Sequence, residues 1–241
     1  YKRQALLLVG SLMAQQANSD IDTLIVNPVA LESVTVSALR AKENTPMAFT
    51  NISKEELEKQ NVGKDLPILL RFLPNVVTTS DAGAGVGYTG IRVRGSDATR
   101  VNVTINGIAL NDAESHGTFW VNLSDFASSV ANLQVQRGFG TSTNGAAAFG
   151  ASINLETAKV SEKSYVQLAS SVGSFHTYKN TIKFSTGISE TGFEFSGRLS
   201  NISSDGYIDR ASSELKGYFL QGTYTAANTT IKALTFGGHE R

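Results

Sequence analysis

The sequence predicts a small α+β domain, with a short mixed β-sheet and helices, followed by the first antiparallel strands of a transmembrane β-barrel. Residues 31–158 combine short strand-like runs with one helical stretch, and beyond residue 163 a regular apolar–polar alternation takes over. After the N-terminal apolar run, no segment is long and apolar enough to span a membrane as a helix. If the protein lies in a membrane, strands must therefore cross it, because only helices and closed barrels satisfy the backbone there.

The composition excludes several classes of protein. Lys+Arg and Asp+Glu both number 21, so the formal net charge is zero and the basic surplus of a nucleic-acid-binding protein is missing. The absence of cysteine removes disulfides, thiolate metal sites and cysteine nucleophiles. Twenty-two glycines against four prolines suit short strands and tight turns. Because the chain opens on Tyr1, we expect it to belong to a longer protein.

The first residues have the layout of an export signal. Lys2 and Arg3 precede an apolar run from Ala5 to Ala14, and small or polar residues follow. A charged start, an apolar stretch of roughly ten residues and a small-residue exit are typical of a secretory signal peptide. A short buried helix is the alternative. We expect a signal peptide over residues 1–17, with cleavage near Ala17.

Local signals place the elements of the α+β domain. Ser53 and Glu56 form a capping box at the start of a helix, and leucines at one face predict a second helical piece over residues 62–73. Alternating runs predict strands over residues 91–94, 101–105, 130–137 and 152–156. Asn106-Gly107 predicts a tight hairpin turn after the second of these strands.

The alternation after residue 163 favours a barrel, although a soluble β-sandwich stays open on pattern alone. Tyr178, Ile182 and Phe184 share one face of their run, whereas its lysines and hydroxyl residues share the other. Short turns alternate with a longer polar loop over residues 203–214, as in outer-membrane barrels with apolar residues toward lipid. Tyrosines near predicted strand ends fit an interfacial girdle; they are Tyr178, Tyr207, Tyr218 and Tyr224.

Three stretches, in order, resemble the plug domain of TonB-dependent receptors. They are Asp65-Leu-Pro-Ile-Leu-Leu-Arg-Phe-Leu-Pro-Asn-Val76; Ile91-Arg-Val-Arg-Gly95 with Arg100-Val-Asn-Val-Thr-Ile-Asn-Gly107; and Val130-Ala-Asn-Leu-Gln-Val-Gln-Arg-Gly138 with Gly145-Ala-Ala-Ala-Phe-Gly-Ala-Ser-Ile-Asn-Leu-Glu-Thr157. The chain departs from the family at Asn106, where Asp is usual, at Phe139, where Pro often follows Arg-Gly, and at Ala151, where a second Gly is usual.

The resemblance implies four regions. We expect a signal peptide at 1–17, a periplasmic linker with a TonB box at 18–44, a plug domain at 45–160 and the start of a transmembrane β-barrel at 161–241. Residues 31–38 look like the TonB box, which would add as a strand to the sheet edge of the periplasmic TonB protein. The proposed contacts are Glu32, Ser33, Val34, Thr35, Val36, Ser37 and Ala38. Alternatively this run is the first plug strand, and residues 23–26 are a rival box.

The resemblance also suggests roles for individual side chains. Arg92, Arg94, Arg100 and Arg137 are expected to lock the plug to glutamates of the barrel wall, with solvated strand arginines as the alternative. Candidate ligand contacts are Tyr88, His116, Phe119 and Trp120, on loops expected to face the ligand. A purely structural role in these loops is an equally compatible interpretation of the four residues.

Two other chemistries are rejected. Gly85–Gly90 matches the dinucleotide-binding pattern, but a strand and not a helix is expected to follow, so pyrophosphate would have no helix N-terminus. Asp112, Glu114 and His116 are poorly spaced for a metal site. No catalytic arrangement stands out, so we expect no enzyme and no cofactor.

The sequence and the resemblance together predict a bacterial outer-membrane receptor and active transporter. It would bind a scarce extracellular nutrient, foremost a ferric chelate such as a siderophore or haem, with cobalamin or a glycan as other candidates, and import it to the periplasm. Its expected partners are the TonB protein, outer-membrane lipid and that nutrient, with no nucleic acid. A secreted or surface β-rich adhesin without transport is the alternative, and a nucleotide enzyme on the glycine loop is the remaining one.

Overall fold

The α+β domain is organised around a five-stranded mixed sheet with the order β1-β6-β7-β4-β5. The computed structural model describes residues 39–139, 148–226 and 229–241, so the expected signal peptide and TonB box lie outside the described residues. The strands of this sheet are β1 (Ala48–Ser53), β4 (Val101–Ile105), β5 (Ile108–Ala109), β6 (Val130–Arg137) and β7 (Ala151–Thr157). β4 and β7 run parallel, and the other pairs are antiparallel.

A separate hairpin and short helices complete the domain. β2 (Val76–Ser80) pairs with β3 (Thr89–Val93). α1 spans Lys54–Gln60 and α2 spans Leu66–Leu69. Short 3-10 helices cover Ala98–Arg100, Trp120–Leu123 and Phe126–Ser129. No described helix has the length and apolar character needed to cross a membrane.

The helices only partly match the expectation. The capping box is confirmed, since Ser53 accepts from the Glu56 amide and the Glu56 carboxylate accepts from the Ser53 amide. The second helix is much shorter than the predicted 62–73: it begins after Gly63, whose left-handed φ is 99°, and it ends at Leu69. After it, the chain continues through single turns such as Leu73 N–H to Leu70 O.

The β-turn and strand predictions in this domain hold closely. β4 and β6 have the predicted bounds, and Asn106 and Gly107 carry φ values of 50° and 85° in the hairpin that joins β4 to β5. Two left-handed residues in a two-residue turn are what Asn-Gly favours. β3 (Thr89–Val93) takes in the last glycine of the Gly85–Gly90 stretch, so a strand and not a helix follows the loop, as predicted.

The second body of strands is an antiparallel sheet with the order β12-β11-β10-β9-β8, called the wall sheet here. Its strands are β8 (Tyr165–Gly173), β9 (Thr177–Ser185), β10 (Phe193–Ser204), β11 (Ser213–Ala226) and β12 (Thr229–Glu240). One face exposes apolar side chains, including Leu168, Ile182, Leu199 and Tyr218 in one cross-strand row. The other face is largely polar and packs on the α+β domain. Tyr218 lies inside β11 and not near its end, unlike the tyrosine girdle expected from sequence.

The core of the α+β domain lies on one face of its sheet. Leu133 and Val135 of β6 are buried there beside Ile153 and Leu155 of β7, and the leucines of α2 pack in the same cluster. Phe219 from the inner face of the wall sheet joins it. The wall sheet thus adds an apolar side chain to the core of the domain.

Candidate functional site: the contact between the α+β domain and the wall sheet

A buried carboxylate of the α+β domain is held by cations of the wall sheet. Lys179 Nζ of β9 lies 2.7 Å from Asp125 Oδ1, and Arg198 Nη1 of β10 lies 3.9 Å from Oδ2. The side chain of Asp125 is 0% exposed, that of Lys179 5% and that of Arg198 3%. Thr181 donates to Oδ2 at 2.7 Å and Ser128 donates to Oδ1 at 2.6 Å. We call these five residues and Asn61 the Asp125 cluster.

The surroundings of Asp125 favour its ionised form. Burial by itself raises the pKa of the Asp125 carboxyl, but Lys179 and Arg198 outweigh it and keep that pKa below its usual range. Asn61 adds to the network: its side-chain oxygen accepts from Lys179 at 2.8 Å, while its amide donates to Asp125 at 3.3 Å. The guanidinium of Arg198 contributes charge and no hydrogen bond through Nε or Nη1 among the described residues. The cluster therefore joins the two sheets through paired charges shielded from water.

Apolar and exposed ionic contacts surround the cluster. The Phe126 ring, next to Asp125, meets Phe219 and Phe236 of the wall sheet edge to face, with ring centroids 5.8 and 5.3 Å apart. Lys183 of β9 pairs with Glu58 of α1 at 3.2 Å, with side-chain exposures of 12% and 40%. This outer pair is worth less than the buried one, because solvent screens it.

Two glycines let the domain approach the wall sheet closely. Gly217 of β11 and Gly238 of β12 stand opposite each other. A Cβ on Gly217 would lie 2.9 Å from the Ser124 carbonyl oxygen, and one on Gly238 would lie 3.1 Å from the Ser124 hydroxyl. A larger residue at Gly217 would force the backbone of the domain away from the wall.

Asn106 links the turn of the α+β domain to the wall sheet. Its Oδ1 accepts from the Thr157 amide at 2.9 Å, and its Nδ2 donates to the Thr157 hydroxyl at 2.9 Å. That hydroxyl donates to Gln221 of β11 at 2.7 Å, and Gln221 donates to Ala158 O at 3.1 Å. An aspartate, usual in the family at this position, has no amide proton to give. The hydrogen bond from Asn106 Nδ2 to the Thr157 hydroxyl therefore requires the asparagine amide.

A third contact joins loop 81–88 of the domain to loop 205–212 of the wall sheet. The Tyr207 and Ile208 amides both donate to Ala82 O, at 2.8 and 3.3 Å. Near this contact the buried Asp65 accepts from the Thr89 hydroxyl at 3.0 Å. Burial raises the pKa of Asp65 to about 8, and the nearby Glu240 of β12 adds to the rise. Asp65 is therefore largely protonated at neutral pH.

The four predicted lock arginines lie apart from these contacts. Arg92, Arg94 and Arg100 are exposed, and Arg137 is half-buried and donates to the Thr50 hydroxyl at 2.8 Å. Within the described residues none of the four has an ion pair. At the Asp125 cluster, the buried carboxylate comes from the domain and the two cations come from the wall sheet.

The predicted ligand contacts divide into exposed and buried residues. Tyr88 and Phe119 are 60% and 52% exposed, and His116 is exposed with a left-handed φ of 58°. Trp120 is 3% exposed and packs in the core, so it has no surface for a ligand in this conformation. Asp112 accepts from the amides of its own loop and shapes that turn. Among the described residues no His, Asp and Glu group could hold a metal ion.

Sequence reasoning missed Asp125. Its local sequence, Asn122-Leu-Ser-Asp-Phe-Ala127, contains the only acidic residue between Glu114 and Glu156, and that isolation is a weak signal. Lys179 and Arg198 stand on the polar side of their alternating runs, as a barrel interior allows. Nothing local pairs these three residues.

Residues 41–152 match the TonB-dependent receptor plug domain family. The probable TonB-dependent siderophore receptor PirA of Acinetobacter baumannii is 26% identical over 148 residues, which are 57% of this chain. The chain spans only 20% of the length of that relative.

Solved structures share the fold. The siderophore receptor PirA of Acinetobacter baumannii superposes with a TM-score of 0.62 at 18% identity, over 80% of this chain and 31% of that one. The pyoverdine outer membrane receptor FpvA of Pseudomonas aeruginosa PAO1, bound to pyoverdine, gives 0.65 at 14% identity, over 81% and 28%. The copper transporter OprC gives 0.65 at 16% identity, over 80% and 31%. These matches confirm the expected α+β plug followed by antiparallel strands. The matched proteins are named as receptors and a transporter.

Proposed function

Because the chain carries a plug domain of the TonB-dependent receptor family, we propose that it is the gated part of an outer-membrane importer. The observation that carries this proposal is the Asp125 cluster, which fastens the α+β domain to the polar face of an amphipathic antiparallel sheet. The opposite face of that sheet exposes apolar side chains, as a lipid-facing barrel wall requires. The α+β domain would then close the lumen.

Opening such a gate requires energy from outside the domain. Separating the domain from the wall sheet has to expose the buried charges of the Asp125 cluster together with the aromatic contacts around them. The TonB protein of the periplasm would supply that work by pulling on residues 31–38, which pair with it as an added strand. Arg92, Arg94, Arg100 and Arg137 remain candidates for pairing with further carboxylates of the barrel in the whole receptor.

The cargo we propose is a ferric chelate. PirA of Acinetobacter baumannii is described as a siderophore receptor, and FpvA of Pseudomonas aeruginosa as a pyoverdine receptor. Tyr88, His116 and Phe119 offer exposed side chains on loops of the α+β domain for contact with such a ligand. Export to the outer membrane would use the signal peptide at residues 1–17.

Deleting residues 31–38 from the full-length protein tests the coupling. We expect energised uptake of ferric siderophore to be lost while binding of the chelate is unchanged, because the box contacts only the partner. Deletion of residues 23–26 is the matched control, and it should leave uptake intact. Normal uptake after deletion of residues 31–38 would contradict their assignment as the TonB box. Loss of uptake only after deletion of residues 23–26 would assign the box to that segment instead.

The cargo is tested separately. A knockout strain is grown on defined iron, cobalamin or glycan sources, and we expect a growth defect only when iron is supplied as a chelate. A defect confined to cobalamin or glycan would contradict the ferric chelate while leaving the importer in place.

A further inference from the structure

The outward face of the wall sheet changes character at a single row of side chains. One residue from each strand contributes to this row, and the five stand in register and are all polar and exposed; they are Ser170, Asn180, Asn201, Lys216 and His239. We call them the polar row. The next outward row on the same strands holds Leu168, Ile182, Leu199, Tyr218 and Gly237. The face therefore passes from polar to apolar within one step of two residues.

The polar row lies at the edge of an apolar band. Beneath it, four successive outward rows of the described strands contain no charged side chain, and the last of them holds Phe193, Tyr224 and Ile231. Rows repeat every two residues, about 6.7 Å along a strand, so four rows of tilted strands span roughly 20 Å. That height is close to the ~25 Å apolar band of an outer-membrane barrel. In the outer-membrane location proposed above, the polar row meets the headgroups of one leaflet.

The connections between the strands indicate which leaflet this is. Loop 205–212 is the longest connection of the wall sheet and leaves β10 at the end that bears the polar row. The shortest connection, between β11 and β12, belongs to the opposite end. Outer-membrane barrels have longer loops outside and short turns in the periplasm, so the polar row faces the outer leaflet.

A groove of about 560 Å³ follows the polar row on this face. Four members of the row line it, together with Ile182, Leu199 and Tyr218 of the apolar row beneath. The Tyr218 ring lies over Gly237, where a Cβ would come within 2.9 Å of its Cε1 atom, so the glycine lets the ring lean toward β12. The groove thus places hydrogen-bonding groups and a cation beside an apolar surface, which matches the division of a lipid into headgroup and acyl chain.

Two amides and one ammonium group supply the polar contacts. Asn180 and Asn201 are direct cross-strand partners, and Ser170 donates to Asn180 Oδ1 at 2.8 Å, which orients that amide. Lys216 Nζ lies 2.9 Å from Glu214, but the two side chains are 61% and 46% exposed. Solvent screens such a pair, so the ammonium can turn to a phosphate at small cost. Side-chain amides both donate to and accept from sugar hydroxyls.

We propose that this groove binds a glycolipid of the outer leaflet whose sugar headgroup carries phosphate. The phosphate pairs with Lys216, and the sugar hydroxyls meet Asn180 and Asn201. An acyl chain lies against Ile182 and Leu199. A phospholipid without a sugar would satisfy the lysine and the apolar surface and would leave the amide pair unused. The inference rests on the proposed outer-membrane location and adds a lipid partner to it.

Photo-cross-linking in the full-length receptor tests the site. Benzoylphenylalanine is placed at position 178, where Tyr178 lies one row beyond the polar row and does not line the groove. The receptor is reconstituted in phosphatidylcholine nanodiscs with increasing fractions of lipid A, a phosphorylated glucosamine lipid. We expect Lys216→Gln to raise the half-saturating fraction about fivefold, the size expected for one lysine at an anionic lipid surface. The exposed Lys163, at the opposite end of the wall sheet, provides the matched control Lys163→Gln, which should change nothing. Equal behaviour of the two variants would overturn the proposal.

The class of lipid is tested with the same reporter. Phosphatidylglycerol carries phosphate without an amino sugar, so it should cross-link less readily than lipid A. Asn201→Leu should weaken cross-linking of lipid A and leave that of phosphatidylglycerol unchanged; Asn180→Val repeats the comparison on β9 if the first variant fails to assemble. Equal cross-linking of the two lipids by the unaltered receptor would contradict a glycolipid site.

Failure of this proposal can be told apart from failure of the proposed function. The cross-linking involves neither the TonB protein nor a ferric chelate. A receptor that lies in the outer membrane and imports its chelate, yet shows no effect of Lys216→Gln on lipid A, would overturn the glycolipid site alone. A full-length protein recovered outside the outer membrane would overturn the proposed function and the lipid site with it.

Discussion

Replacing Asp125 by asparagine tests the Asp125 cluster with little change of shape. The change removes the only carboxylate facing Lys179 and Arg198 among the described residues and leaves two buried cations without a counter-charge. Removing one partner of a buried pair costs about 3–5 kcal/mol. At about 1.4 kcal/mol per factor of ten, the open population of the domain should rise by roughly two to three and a half orders of magnitude.

Hydrogen exchange on the full-length receptor measures this opening. The amides of β6, which begins five residues after Asp125, should exchange faster in the Asp125→Asn variant by that factor, up to the limit set by global unfolding. Glu58→Gln is the matched control, because it removes the carboxylate of the solvent-exposed pair with Lys183, worth at most about 1 kcal/mol. Equal acceleration in the two variants would refute the reasoning. Adding Lys179→Met to Asp125→Asn should restore part of the protection, because it removes one orphaned charge.

Three further changes test the other contacts. Asp65→Asn should flatten the pH dependence of the free energy of unfolding. The pKa of Asp65 is about 8 in the folded protein against an ordinary 3.8, so its stabilising contribution is full below pH 4 and is lost as pH rises through 8. Urea midpoints measured at several pH values would show this change. Asn106→Asp should lower the free energy of unfolding by about 1–3 kcal/mol, because its carboxylate would face the Thr157 hydroxyl, whose proton is already donated to Gln221. The same change at the exposed Asn75 should leave the free energy of unfolding unaltered. Gly217→Ala should lower the free energy of unfolding by about 1–3 kcal/mol, because its Cβ would push the domain backbone away from the wall sheet. Gly222→Ala on the same strand should have no such effect, since a Cβ there meets nothing within 4 Å. Thermal unfolding measures both variants.

The predictions that succeeded rest on local signals. Alternation and the Asn106-Gly107 turn fix β4 and β6, because side-chain period and turn geometry are properties of neighbouring residues. The leucine spacing around α2 does not distinguish a long helix from a short helix followed by single turns, since both bury the same leucines.

The Asp125 cluster could not be found in the same way. Its members come from a 3-10 turn and two later strands, and their pairing depends on how the α+β domain seats on the wall sheet. The exposed lock arginines were inferred from resemblance, and their proposed partners would have to come from elsewhere in the whole receptor. Local pattern predicts which residues are polar; tertiary contact decides which charges meet.

The backbone conformation at Asp125 restricts the residue types that can occupy this position. Its φ of 51° and ψ of 25° lie in the left-handed region, which asparagine and aspartate tolerate and most longer side chains avoid. Glutamate would keep the charge and strain the chain, whereas asparagine would keep the chain and lose the charge. Position 125 therefore has to satisfy both a left-handed backbone and a charge opposite Lys179 and Arg198. A related protein that lacks this ion pair must differ in the turn and in the cations together, which no single substitution achieves.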